Sequence, residues 1–297
     1  MKRERGGLAR WGFVGPALLF LVVLNVFPLV YDVVLSFTDA RITSAKHESV
    51  GTDNYARVFE EPAFAAAIRT TALFVALAVS IELGLGFGLA RALKKSIGRR
   101  SALLTLLLVP MMLSPAVMGL FWNLILNGDY GIVNQGLRAV GLGQPEWLTD
   151  PDLKFVSILA IDVWMWTPFM MLIALAGLNA IPETIYEAAE IDRAGPWTVF
   201  RRITLPMTAP LLLLAVLFRA TDALKQFDLV MAITGPNDAS TQTLSALLYQ
   251  VMNPGRAGKL GLGSAYACVI LVLVIALASL FVRYLDWLQA RQGRVSP

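Results

Sequence analysis

Residues that build cross-linked or metal sites are almost missing from this chain. Cys268 is the only cysteine and His47 the only histidine among 297 residues. One thiol allows neither a disulfide within the chain nor a thiolate metal cluster. Cys268 falls within an apolar run, where it reads as packing, and His47 stands in a polar connection, where it reads as a solvated loop residue. Charge is scarce too: Asp, Glu, Lys and Arg make up 15% of the chain, against about a quarter in an ordinary soluble domain. No G-x-x-x-x-G-K-[ST] cradles nucleotide phosphates, and neither H-E-x-x-H nor G-x-S-x-G occurs. A membrane hydrolase usually needs one of these patterns, and a transporter needs none. There is no sequence repeat, low-complexity tract or inverted pair of broken helices.

Long apolar runs are abundant. The chain is 57% hydrophobic, with mean hydropathy +0.64. Six runs, at about 12–36, 66–91, 101–126, 153–178, 207–233 and 261–287, reach the length that crosses a bilayer as helix. Helices satisfy their own backbone hydrogen bonds in lipid, so the fold class is all-α and polytopic, with one transmembrane domain over 1–297. The first run follows Lys2, Arg3, Arg5 and Arg10 but is too long for a signal core and lacks a small-residue cleavage site, so it reads as a retained anchor.

Basic residues orient the spans. Fifteen fall at the N-terminus, at Arg91, Lys94, Lys95, Arg99 and Arg100, at Arg193, Arg201 and Arg202, and at Arg283, Arg291 and Arg294. Seven fall in the alternate connections: Arg41, Lys46, Arg57, Arg138, Lys154, Arg256 and Lys259. The richer side is expected in the cytoplasm, with both termini there. The net charge of +4 then serves topology and anionic membrane lipid rather than nucleic acid. Among the outer connections (37–65, 127–152, 234–260), Val133, Leu137 and Val140 suggest a short helix lying near the membrane surface.

The inner connection 179–206 differs from the others. Pro182 and Glu183 suit a helix start, Gly195-Pro196 breaks the chain, and a second short helix follows through Trp197, Phe200 and Ile203, with Pro206 before membrane entry. This segment resembles the cytoplasmic coupling loop of importer-type ABC permeases: E-A-A, three residues, Gly, nine residues, then I-x-L-P. Glu187, Ala188 and Ala189 match its start, and Ile203, Leu205 and Pro206 its end. The expected glycine falls on Arg193, and Gly195, two residues later, is expected to supply the break. Leu35-Ser36-Phe37-Thr38, Gly51-Thr52-Asp53-Asn54-Tyr55, the 218–228 stretch and Thr241-Gln242-Thr243-Leu244-Ser245 are similar to the carbohydrate-uptake branch, in particular the first of the paired permeases of maltose- and glycerol-3-phosphate-type importers.

The resemblance implies a bacterial or archaeal inner-membrane subunit that pairs with a second homologous permease, two cytoplasmic ATPases and an extracytoplasmic solute-binding protein. It implies no cofactor in this chain, ATP and Mg being held by the ATPases. It places Glu187, Ala188, Ala189, Glu190, Asp192, Arg193 and Gly195 at the ATPase contact. Small Ala188 and Ala189 let a helix sit deep in a groove, and Glu187 and Glu190 offer charge-assisted contacts.

Polar residues within spans are candidates for the solute path, because charge at membrane depth faces protein or water. Those singled out are Arg219, Asp222, Gln226 and Asp228 in the fifth span, Trp164 and Trp166 in the fourth, and Asn123 in the third. Arg219, Asp222 and Lys225 stand three apart, so a salt-bridge ladder is an equal reading for the charged ones. Neutral Gln226 falls outside such a ladder and suits solute contact better. Asp162 and Thr167 share the stretch of Trp164 and Trp166, and Glu82 suits bonding across helices. The rival function is an ion-gradient-driven secondary transporter, which explains the intramembrane acids but leaves 179–206 unexplained.

Overall fold

The computed structural model describes residues 14–44, 46–94, 100–253, 255 and 258–292. Lys2, Arg3, Arg5, Arg10, Lys95, Arg99, Arg256 and Arg294 lie outside the described residues. Among the described residues, regular structure is helical, apart from three isolated β-bridges in the 38–49 connection and at Arg41–Lys259.

Among the described residues, five helices are long and apolar enough to cross a membrane: α1 (Val14–Ser36), α3 (Pro62–Lys94), α7 (Pro151–Asn179), α9 (Pro196–Leu224) and the Leu260–Trp287 part of α12 (Leu260–Gln292). The shortest, at 23 residues, covers about 35 Å. The expected run 101–126 is instead interrupted, forming α4 (Arg100–Leu108), a 3-10 turn (Pro110–Met112) and α5 (Pro115–Ile125). Each of the last two begins on a proline, and Leu113 and Ser114 between them are extended. Proline tolerates a helix start, where its missing N–H costs nothing, and disrupts a helix interior.

The fifth span also departs from expectation. It begins at Pro196, so the second coupling helix is the first part of α9 and not a separate element. It ends at Leu224, and α10 (Asp228–Ile233) is separate. Pro206 does not break α9 because a π-turn at Phe200–Thr204 precedes it, with the Leu205 N–H donating to the Phe200 carbonyl. The same arrangement recurs in α1, where the π-turn Val22–Val26 ends at Phe27, just before Pro28. In both, the hydrogen-bond ladder widens where a proline is about to withhold a donor.

The chain divides into two compact units. In the first (up to Phe64, with Leu248–Val272), α2 (Asp53–Glu60) closes the end of α1. Asn54 Nδ2 donates to the Ser36 and Thr38 carbonyls at 2.9 and 2.7 Å, and the Ser36 and Tyr55 hydroxyls lie 2.7 Å apart. These are the residues of the S-F-T and G-x-x-N-Y stretches, so the motifs satisfy helix-terminal carbonyls that would otherwise be orphaned. Gly261 passes so close to Thr38 that an added Cβ would stand 1.9 Å from its carbonyl oxygen.

In the second unit (Ala65–Leu247, with Leu273 onward), α7 is the central helix: 67% of its most apolar stretch is buried, against none of α1's. Phe74, Met118, Ile158, Ile161, Met165 and Leu229 form one core cluster. The amphipathic helix of the second outer connection exists as α6 (Ile132–Ala139). Its Val133 packs on this core, however, and buried Asn134 accepts from Trp147 Nε1 at 2.8 Å and donates to the Gly128 and Pro145 carbonyls. The helix is thus held against protein on one face, while Ile132 at its start and Val140 at its end remain well exposed. The third outer connection contains α11 (Leu244–Met252), and His47 and the half-buried Cys268 take part in no cluster that could hold a metal among the described residues.

Candidate functional site

The inner connection folds as α8 (Glu183–Ile191), a tight turn, and the start of α9. Pro182 stands just before α8 and Glu183 in its first turn, where its charge complements the helix dipole. At the far end Arg193 has φ 54°, the left-handed region. Its N–H donates to the Glu190 carbonyl at 3.0 Å, and the Ala194 N–H to the Ala189 carbonyl at 2.9 Å. This is a Schellman turn, in which glycine is the usual left-handed residue. Arg193 itself therefore supplies the turn, correcting the assignment to Gly195, which is extended (φ −64°, ψ 154°) and opens α9.

Glu187, Ala188, Glu190 and Asp192 are exposed, whereas Ala189 is buried at 6% exposure. The two alanines expected to enter a partner groove together therefore face different ways, and Ala188 is the free one. Two apolar side chains stand out into solvent beside them, Ile191 at 82% and Trp197 at 68%. Ile191 carried no sequence signal beyond its place between the motif's halves. Trp197 packs on Phe200, which meets Phe87 edge-on at 5.9 Å.

The in-span charges converge on Arg219. Its Nε donates to both Glu82 oxygens at 3.1 and 2.9 Å, Nη2 to Asp162, and Nη1 to Asp222 at 3.3 Å. The guanidinium also lies 5.1 Å from the Trp166 ring centroid. Glu82 and Asp162 are fully buried and Arg219 nearly so, while the Asp222 side chain is 52% exposed. A guanidinium in a dry interior needs this many partners to offset its lost hydration. The cluster spans α3, α7 and α9, and the Arg219–Asp222 rung of the expected ladder is part of it. Among the described residues no ion pair joins Asp222 to Lys225.

Gln226 belongs to the cluster after all, donating to Asp162 at 2.8 Å and accepting from the Phe227 N–H at 3.0 Å. Neutrality did not exclude it, because an amide can donate to a carboxylate that an arginine leaves partly free. Thr243 Oγ1 donates to the Gln226 carbonyl at 2.7 Å and accepts from the Ala246 N–H, so the Thr-Gln-Thr motif links the α9 end to α11. Asp228 is exposed and Asn123 half-buried. Trp164, 42% exposed, meets Trp122 edge-on and lines an open groove of about 820 Å³ with Leu85, Leu106, Val109 and Thr167. At the start of α7, Lys154 pairs with Asp238 of the 234–260 connection. Partial burial alone would raise the Asp238 carboxyl, but the hydrogen bonds from Lys154 and Ser240 outweigh it and hold its pKa below the usual range.

Membrane-length helices, a buried ionic centre and a capped helix on a connection between spans together describe a polytopic helical membrane protein. The model of the binding-protein-dependent transport system inner membrane component matches residues 82–291, and the chain belongs to that family. It is 33% identical over 270 residues to the trehalose/maltose transport system permease protein MalF of Thermococcus litoralis, covering 90% of each chain. It is 34% identical over 248 residues to the lactose transport system permease protein LacF of Rhizobium radiobacter, covering 81% of this chain and 82% of that one. A bacterial ABC transporter involved in the import of the acidic polysaccharide alginate shares its fold, with TM-score 0.80, 20% identity and coverage of 100% of this chain and 99% of the other. Family membership leaves the ion-gradient reading without support.

Proposed function

We propose that this chain is one of two permease subunits of an ATP-driven importer, and that with its partner it forms the path for a sugar or sugar-like solute. The observation that carries this reading is the inner connection: an E-A-A helix closed by a Schellman turn and followed by a continuous helix into the membrane. A rigid helix on such a connection can pass on a rigid-body movement. The relatives named for trehalose, maltose and lactose transport support the solute class.

In this reading the whole chain acts as a single permease domain in the inner membrane, with both termini in the cytoplasm. It carries no ATP site or cofactor, and hydrolysis belongs to two partner ATPases. Glu187, Ala188, Glu190 and Asp192 meet an ATPase, joined by Ile191 and Trp197. Buried Ala189, left-handed Arg193 and Gly195 shape the helix that does so. On the path, exposed Asp222, Asp228 and Trp164 with half-buried Asn123 meet solute delivered by an extracytoplasmic binding protein. Arg219, Gln226 and Trp166 hold that wall in place.

Labelling of single cysteines, in a background with Cys268 replaced, tests the arrangement. Positions 187 and 197 should react only from the cytoplasmic side, and position 237 only from outside. Labelling of position 187 from outside overturns the reading.

A further inference from the structure

The coupling helix α8 must pass its movement to the membrane spans through side chains. We propose that Tyr186 and Lys94 are positioning residues forming that link, an inference that rests on the coupling reading above.

Three contacts meet at this pair. Lys94, the last residue of α3, donates from Nζ to the Leu178 carbonyl in the final turn of α7 at 2.9 Å. The same ammonium lies 4.7 Å from the centroid of the Tyr186 ring, on α8. The Tyr186 hydroxyl lies 3.3 Å from Thr204 Oγ1, in the π-turn where α9 enters the membrane. One tyrosine and one lysine thus tie α8 to the inner ends of α3, α7 and α9. A lysine at a helix C-terminus meets carbonyls left without intrahelical partners, and its ammonium over a tyrosine face adds a directional contact.

The surroundings concentrate the load on this pair. A cavity of about 610 Å³ opens beside it, with Glu183, Glu187 and Glu190 of α8 on its wall and Arg91, Val199 and Phe200 among its other lining residues. Among the described residues none of these three glutamates forms an ion pair with Arg91 or Lys94. Much of the motif's charged side therefore stands across open space from the spans, whereas Tyr186 reaches them. Tyr186 immediately precedes Glu187-Ala188-Ala189, so a displacement of those residues by an ATPase moves the ring directly. The link fails by loosening: with the lysine or the ring gone, α8 can shift while α3, α7 and α9 stay where they are.

The test uses the complete importer in proteoliposomes with its binding protein. Uptake is measured of whichever of maltose, trehalose and lactose the wild type accepts, together with ATP hydrolysis and ATPase retention. Lys94→Met and Tyr186→Ala are expected to retain the ATPases and hydrolyse ATP. They should move about fivefold less sugar per ATP, the lower end of a typical coupling energy between sites. Lys94→Arg, which keeps the cation and donors, should recover most of the ratio, a rescue that a merely space-filling lysine would not show. A wild-type ratio in Lys94→Met overturns the proposal, as does a Lys94→Arg variant no better than Lys94→Met. If Tyr186→Ala fails to assemble, Lys94→Met and Tyr186→Phe decide by the same criterion, Tyr186→Phe removing only the hydroxyl contact to Thr204. Ala188→Trp separately tests the docking of α8: normal ATPase retention there sinks the coupling reading, whatever the Lys94 variants do.

Discussion

Replacing Arg219 by methionine probes the buried centre most severely. The substitution keeps a flexible unbranched stem and removes the cation that, among the described residues, pairs with Glu82 and Asp162. Both acids are fully buried, so neither can recover hydration without opening the packing of α3, α7 and α9. Breaking a buried pair in this way typically costs about 3–5 kcal/mol. At about 1.4 kcal/mol per factor of ten, that is a loss of roughly a hundredfold to several thousandfold in the folded-to-unfolded ratio. Asp222→Asn serves as the internal comparison. It removes the half-exposed arm of the same cluster and leaves Arg219 bonded to Glu82 and Asp162. Its expected cost is below about 1 kcal/mol, the range of solvent-screened pairs. The assay is the yield of assembled complex and its resistance to thermal aggregation in mild detergent. Arg219→Met should lose most of the assembled complex while Asp222→Asn assembles normally. Equal effects of the two, or normal assembly in Arg219→Met, would refute the claim that this centre holds the three helices together.

Other expectations follow from the inner and outer connections. Ala188→Trp should reduce co-purification of the ATPases without disturbing the spans, whereas Ala189→Trp should overpack the chain itself at a cost of about 1–3 kcal/mol; the comparison is ATPase retention against thermal stability of the permease pair. Arg193→Gly should stabilise the end of α8 by up to about 1 kcal/mol, because glycine takes the left-handed conformation without a Cβ penalty, and it should leave uptake intact; a destabilised variant contradicts the turn assignment. The Lys154–Asp238 pair sets an acid limit on the outer connection. The folded-state pKa of Asp238 lies below its unfolded value of about 3.9, so its contribution is complete above that pH and fades as pH falls through the folded value. Proteolysis of 234–243 should therefore be flat from neutral pH down to about 4, and Lys154→Met should raise it at neutral pH.

Much of the architecture was legible because membrane spans announce themselves by length and hydropathy, which five helices confirm. The third and fifth runs misled for one reason. Hydropathy records burial in lipid and is blind to where the backbone stops being helical, so Pro110 and Pro115 inside one apolar run were not weighed as breaks. At Pro206 the opposite error arose, since a π-turn lets α9 continue through a proline that reads as a boundary. The E-A-A and I-x-L-P halves mark the inner connection, and the pattern's glycine falls on Arg193; residue type points to Gly195 for the turn, whereas the left-handed φ stays at the motif's own position. Glu82 bonds across helices, as its place inside an apolar span leads one to expect. Its partner Arg219 lies 137 residues away, a separation that spacing rules along one helix cannot bridge. That is why the ladder expected within α9, whose Arg219–Asp222 rung is present, extends into a cluster across three helices with Gln226 inside it.

The central claim is that this chain moves solute only as part of an ATP-driven complex. Reconstituting it with its partner permease, two ATPases and binding protein, and following uptake of labelled maltose, trehalose and lactose, tests it directly. The account predicts accumulation of at least one of them that requires ATP and the binding protein and survives collapse of all ion gradients. Uptake by the permeases alone, driven by a proton or sodium gradient and indifferent to ATP, would contradict it.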